Sequence, residues 1–284
     1  MNDKDYDFLK MKVKKLSGLS LDSYKRDQMM RRLDGYISRG GFDSVIPFCV
    51  SVEKDKEALG RLMDFLTINV SEFFRDSEQF SILKTKVLPE LLKKSKSLNI
   101  WSAGCSIGAE PYSVAMMLSE LSPYGKHRIL ATDLDEGSLA RARSGGPYSD
   151  SHIEQVSAGL KMKNFTKTDG GHVVLPRFKS MIQFKKHNLL EDAFEEGFDL
   201  IMCRNVTIYF TEETKSVLNG KFANSLVDDG VLFIGSTESL LDSSSIGLKR
   251  MYASFFSKGS KLGSKRPVAR ATVRDSKKSS ATRA

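Results

Sequence analysis

At 284 residues, 40% of them hydrophobic, the chain can build one large domain or two smaller ones with proper cores, so ordinary globular folding is expected. No run approaches the roughly 18 to 20 uninterrupted apolar residues of a membrane span, and the N-terminal stretch is charged throughout, so a cytoplasmic protein without a secretion signal is expected. The formal charge of +9 sits at the end: Lys261, Lys265, Arg266, Arg270, Arg274, Lys277, Lys278 and Arg283 stand against Asp275 alone, eight cations less one anion, so the remainder carries about +2 and nucleic acid is not an expected partner.

Three amphipathic segments open the chain at helical spacing: Leu9, Val13 and Leu16; Met29, Leu33 and Ile37; then Leu59, Leu62, Met63 and Leu66. They predict an all-α N-terminal domain over residues 1–86. The second helix is expected to begin near Asp22 as a cap and to stop at Gly40-Gly41. Along it Lys25, Arg32 and Arg39 recur every seven residues and share one side, with Arg26 and Arg31 nearby. Such a cationic stripe suits an acidic helical partner, and a solvated helix face is the ordinary alternative. The polar and aromatic stretch Thr67–Asp76 then joins this domain to a different pattern.

From Leu98 onward short apolar runs alternate with helical ones. Strands are predicted at Leu98–Ala103, Arg128–Thr132, Phe198–Cys203 and Val231–Gly235, and helices at Glu110–Leu121, Glu136–Arg143 and Glu212–Leu226. That alternation predicts a doubly wound α/β sheet over residues 87–258. The stretch Leu160–His187 breaks the rhythm. There Gly170-Gly171 and the alternating runs His172–Leu175 and Met181–Phe184 suggest a small antiparallel β-subdomain inserted at about 160–187. Residues 259–284, almost without apolar side chains, read as a disordered basic tail.

Chemistry concentrates at the strand ends. Ile100–Pro111 runs from a strand through a glycine-bearing turn into a helix, where Gly104 and Gly108 are expected to clear space for an adenosine or a phosphate. A merely structural turn is the alternative reading of that motif alone. Glu110 sharpens it, because a carboxylate at that place repels a diphosphate and suits a cationic, phosphate-free ligand, which argues against a nicotinamide cofactor. Asp133 ends the second strand, where a carboxylate can accept hydrogen bonds from both ribose hydroxyls. An adenosine cofactor bearing a sulfonium satisfies both acids; capping of helix starts is the alternative for either one singly. The three cysteines, Cys49, Cys105 and Cys203, show no CxxC pairing and read as reduced, buried thiols. His127, His152, His172 and His187 share no spacing and read as surface or structural, so no metal is expected.

Taken together, Thr67–Asp76, the glycine turn, Ala131–Asp135, His187-Asn188-Leu189-Leu190 and Cys203–Phe210 closely resemble the CheR family of chemotaxis receptor methyltransferases, in the same order from about Tyr6 to Phe256. The resemblance implies an all-α N-terminal domain, a Rossmann-like domain that binds S-adenosylmethionine (SAM), and a small β-subdomain. It implies a protein-glutamate O-methyltransferase that forms glutamate methyl esters on the cytoplasmic helices of chemotaxis receptors during adaptation, releasing S-adenosylhomocysteine. By that likeness Asn69, Ser71 and Arg75 contact the cofactor from the linker. Glu110 and Asp133 hold its amino-acid and ribose portions, and Asn188, Leu189, Asn205 and Val206 surround the adenine side. Arg75 and Tyr209 face the methyl-transfer centre. A monomer that meets membrane only through its receptor is expected.

The family turn usually reads Ser-Thr-Gly-Glu-Glu-Pro; here Ile107 replaces the threonine and Ala109 the first glutamate, while Glu110 is retained. Ser71 stands where threonine is common, and Thr207 where an apolar residue is usual. The loop around Thr168–Gly171 is short for a receptor-tether site. A glutamate nucleophile, with a reference pKa of about 4.3, is already an anion at neutral pH and needs no general base. Two rival readings are a SAM enzyme acting on a small molecule, with the helical domain as a lid, and a non-catalytic SAM-responsive module.

Overall fold

The structure is a computed structural model that describes residues 1–67, 71–240 and 243–259. Asn69 and the basic tail from residue 260 lie outside the described residues.

Among the described residues the N-terminal domain opens with helices α1 (Asp3–Ser17), α2 (Arg26–Arg39), α3 (Val45–Lys54) and α4 (Lys56–Thr67). Helix α1 starts at Asn2, whose side chain accepts from Asp5 N at 2.9 Å, and ends on Gly18 at φ +77°, a left-handed C-cap. Its buried face is Tyr6, Leu9 and Val13. Helix α2 starts four residues later than expected. Asp22 lies in a 3₁₀ turn, Leu21–Ser23, and pairs with Lys10 at 2.6 Å instead of capping a helix. Helix α3 was not foreseen from periodicity, because Ile46 and Val50 remain exposed among its buried Val45, Phe48, Cys49 and Val52 and blur the stripe.

A continuous helical rod follows, α5 (Ser77–Ile82), a π segment (Leu83–Val87) and α6 (Leu88–Lys94). Pro89 in the first turn of α6 has no N–H to offer the ladder, which accounts for the widened turn just before it. The rod spans residue 86, and Phe80, Leu83, Val87, Leu88 and Leu91 join the core beneath the sheet.

The α/β domain continues through β1 (Asn99–Ala103), α7 (Ala109–Leu121), β2 (Arg128–Asp133), α8 (Glu136–Ser144), α9 (Ala158–Asn164), β3 (Phe165–Thr168), β4 (Gly171–Val174), β5 (Ile182–Lys186), β6 (Phe198–Cys203), α10 (Glu212–Ser225), β7 (Leu226–Ile234), β8 (Leu248–Tyr252) and β9 (Phe255–Lys258). The main sheet has the order β5-β2-β1-β6-β7-β9-β8. Strands β5 through β7 in that order are parallel, and β9 and β8 close the edge antiparallel. The strand order reverses between β1 and β6, and in such sheets ligands bind beyond the carboxyl ends at the reversal.

Two pairings differ from expectation. The small antiparallel sheet is β3 with β4, whereas Ile182–Lys186 leaves the insert and pairs in parallel with β2. As an edge strand, β5 is buried on one face only, so its sequence alternates like a hairpin strand. Strands β8 and β9 were also not foreseen.

Trp101, Ile201 and Leu232 on one face of the sheet belong to the same contiguous core as Leu9, Leu33 and Leu66 of the helical domain. Ile100, Leu200 and Phe233 face the opposite core. Two backbone hydrogen bonds tie the halves more tightly still. Lys25 N donates to Tyr209 O at 2.9 Å and Thr211 N to Ser23 O at 3.0 Å, with Tyr24 edge-on to Phe210 at 4.9 Å between them. Lys25 is the N-cap residue of α2, and its ammonium has no acceptor, so the helix begins without a side-chain cap.

Candidate functional site

At the strand reversal a cleft opens, and its walls are built from the ends of β1, β2 and β6, the linker before α5, and the helical domain. The turn after β1 is held by Thr132, whose carbonyl accepts from Gly104 N at 2.8 Å and Cys105 N at 2.9 Å. Gly104, Ser106 and Gly108 all adopt positive φ, at +82°, +46° and +88°. A Cβ on Gly104 would stand 2.4 Å from Val206 Cγ2, and one on Gly108 would stand 2.9 Å from Ala142 Cβ. Both glycines therefore clear space for neighbouring protein side chains, and Gly104 also lines the cleft.

Asp133 is 8% exposed. Its Oδ2 accepts from Ser106 N at 2.7 Å and its Oδ1 from Asp135 N at 3.0 Å, so two backbone amides aim the carboxylate. Burial pushes its pKa up against the lowering influence of those amides. Glu110, at the start of α7, accepts from Ser102 Oγ at 2.8 Å and lies 3.3 Å from Arg204 Nη1. Burial raises its pKa too, opposed chiefly by Arg204.

Arg204 was missed as a site residue, although it belongs to the recognised Cys203–Phe210 run. It is 7% exposed, lies between Phe80 and Phe233, and donates through Nη2 to Arg75 O at 2.9 Å and Asp76 Oδ2 at 2.8 Å. Glu110 is consequently a paired acid.

The linker reaches the cleft because Phe73 is fully buried against Tyr148 and Phe165, and Phe73 N donates to His152 O at 2.9 Å. Phe74 N donates to Ser113 Oγ at 3.0 Å, and Phe74 and Asp76 both take left-handed conformations, at φ +56° and +59°. Ser71 and Arg75 thereby come onto the cleft wall. On the opposite wall, Asn188 Oδ1 accepts from Leu190 N at 3.0 Å and Asn188 N donates to Asp192 at 2.8 Å, which presents Asn188 and Leu189. His187 also lines the cleft; it is 6% exposed and packs on Trp101 and Phe194.

Ser71, Arg75, Glu110, Asp133, Asn188, Leu189, Asn205, Val206 and Tyr209 all line this one cleft. The cationic stripe is not uniform. Lys25 is exposed beside Glu212 at 3.7 Å, and Arg39 is exposed at the far end of α2. Arg32 turns inward, donating to Phe65 O at 2.6 Å, with its guanidinium 4.8 Å over Phe65 and 5.3 Å over Tyr209. Cys49, Cys105 and Cys203 are free and buried. Among the described residues no helix is long and apolar enough to cross a membrane, and no cluster of three His, Cys, Asp or Glu side chains suits a metal.

A buried, backbone-aimed carboxylate at the end of β2 and an acid at the start of α7, lining one cleft, fit a ribose and a cationic amino-acid group. Residues 4–67 match the CheR methyltransferase all-alpha domain, and residues 69–253 match the CheR methyltransferase SAM-binding domain. The chain is 40% identical over 257 residues to the chemotaxis protein methyltransferase of Listeria monocytogenes, covering 90% of this chain and 98% of that protein. It is 39% identical over 257 residues to the chemotaxis protein methyltransferase of Listeria innocua, with 90% and 98% covered. To that of Borreliella burgdorferi it is 37% identical over 237 residues, with 78% and 83% covered. With both domains matched in order, the chain belongs to the CheR family of SAM-dependent methyltransferases.

Proposed function

We propose that the chain methylates glutamate side chains on the cytoplasmic helices of chemotaxis receptors, acting as a cytoplasmic monomer and leaving glutamate methyl esters. The observation that carries this reading is the convergence of Arg75 and Tyr209, from two separate elements, on the cleft that also holds Glu110 and Asp133. Asp133 would hold the ribose hydroxyls, Glu110 with Arg204 the amino-acid end, and Asn188, Leu189, Asn205 and Val206 the adenine side. Asn69 is proposed as a cofactor contact from the family likeness alone.

When bound, SAM supplies an activated methyl group. The protein's share is alignment and exclusion of water, and positioning of this kind can supply on the order of 7–11 kcal/mol of a barrier. The acceptor carboxylate is ionised at neutral pH, so no base is required. Arg75 would orient that carboxylate without binding it more strongly than the transition state, where the negative charge is being consumed. Tyr209, backed by the Arg32 guanidinium, would close the other side. Lys25 and Arg39 on the exposed side of α2 would meet acidic residues of the receptor helix.

Incubation with methyl-labelled SAM and a receptor cytoplasmic fragment, followed by mild base, should release label from the fragment. Label confined to free small molecules would overturn the assignment.

A further inference from the structure

We propose that Glu238 is a positioning residue: its carboxylate fixes the loop that carries Asn205, Val206 and Tyr209, and so sets cofactor affinity and turnover without touching either substrate. This rests on the function proposed above.

Glu238 follows β7 by four residues and accepts four short hydrogen bonds. Oε2 takes Gly235 N at 2.7 Å and Asn205 N at 3.0 Å. Oε1 takes Thr207 N at 2.9 Å and Thr207 Oγ1 at 2.7 Å. Neither Asn205 nor Thr207 finds these partners inside its own loop, because Asn205 stands at φ +59°, a left-handed turn that an unsupported non-glycine residue rarely keeps. The 3₁₀ turn Thr207–Tyr209 begins at the second anchored amide. Gly235 completes the clasp: a Cβ there would lie 2.7 Å from Glu238 Oε2 and 3.0 Å from Asn205 N.

The chemistry calls for a carboxylate. Four donors converge on two oxygens, and only an ionised acid offers acceptors on both sides. A glutamine has one acceptor oxygen and turns its NH₂ toward two of the donors. Thr207 supplies two of the four donors, its amide and its hydroxyl. Glu238 also lies close enough to Glu110 to disfavour ionisation there, which places its charge within the field of the cofactor site.

The test is calorimetric titration of S-adenosylhomocysteine into wild type, E238Q, E238A and T207V, with kcat and KM measured on a receptor fragment. E238A should weaken S-adenosylhomocysteine binding roughly ten- to hundredfold, as loss of hydrogen bonds to a charged group predicts, at a stoichiometry still near one. E238Q should fall between E238A and wild type, T207V should be mild, and kcat should drop more than KM for the fragment changes. A purely structural role gives the opposite pattern, a reduced stoichiometry at unchanged Kd, and would overturn the proposal, as would a Kd within about twofold of wild type. Failure of the wild type itself to bind would instead sink the underlying functional reading.

Discussion

Arg204 Nη1 lies 3.3 Å from Glu110 Oε2, while its Nη2 grips Asp76 at 2.8 Å, so one buried guanidinium joins the first glycine turn to the interdomain linker. Removing it would leave two acids facing each other's loops without a counter-charge. R204A should destabilise the fold by about 3–5 kcal/mol in urea unfolding, the cost of breaking a buried pair from one side. R204K keeps the charge but not the fork. It should fold and bind S-adenosylhomocysteine at least about tenfold more weakly by calorimetry, since a point charge cannot serve three acceptors in fixed directions.

Gly104 and Val206 are in a similar relation, one making room for the other. G104A introduces a Cβ at 2.4 Å from Val206 Cγ2 and a side chain at φ +82°. The single variant should lose more than about 1 kcal/mol of stability and most cofactor affinity. In the double variant G104A/V206A the steric part is relieved and only the backbone strain remains. Urea melts should therefore show non-additivity, with the double variant more stable than G104A; simple addition of the two losses would refute the contact.

The two buried acids make binding pH-dependent in a defined direction. Burial raises the pKa of both Asp133 and Glu110. Each therefore takes up a proton at a higher pH than an ordinary carboxylate, near 4. Their contribution to folding is present below the unfolded pKa and lost as pH rises through the raised folded value. Binding of a cationic ligand runs the other way, because it needs the ionised forms. Affinity for SAM should weaken as pH falls below neutrality toward the raised values of these acids, and D133N should bind more weakly by about 1.5–3 kcal/mol with a flatter profile. A wild-type affinity that does not fall on acidification to the ordinary carboxylate range would contradict the placement of both acids.

Arg39 tests the partner surface without disturbing the cleft. R39E should raise KM for an acidic receptor fragment several-fold at low salt, with the difference shrinking as salt screens the charges. S-adenosylhomocysteine binding should stay unchanged, because Arg39 does not line the cofactor cleft. An unchanged KM would remove this end of α2 from the docking face.

Much of this was legible because the strongest signals are local. The run from Ile100 to Pro111 and the acid after Ala131-Thr132 each sit at a strand end, where sequence order and spatial order coincide. The described residues of the proposed cofactor set meet in one cleft for that reason. What stayed hidden depends on distant partners. Arg204 gives no sign in sequence that it reaches Asp76, 128 positions away, and Glu238 none that it anchors residues 31 and 33 positions earlier. Helix α3 was lost because two exposed apolar residues broke its stripe, and β5 was paired wrongly because half-burial at a sheet edge imitates a hairpin. The start of α2 differs for a related cause: the residue before its first turn is held by a backbone bond to Tyr209, a distant partner invisible in composition.

That bond between Lys25 and Tyr209 constrains how the enzyme can work. The first turn of α2 and the carbonyl of Tyr209 are rungs of one short ladder, so the helical domain cannot swing open as a hinged cover without breaking these backbone hydrogen bonds beside the cleft. A load on the first turn of α2 is passed through that bond to Tyr209, so the position of the helix and the setting of the aromatic ring are mechanically linked.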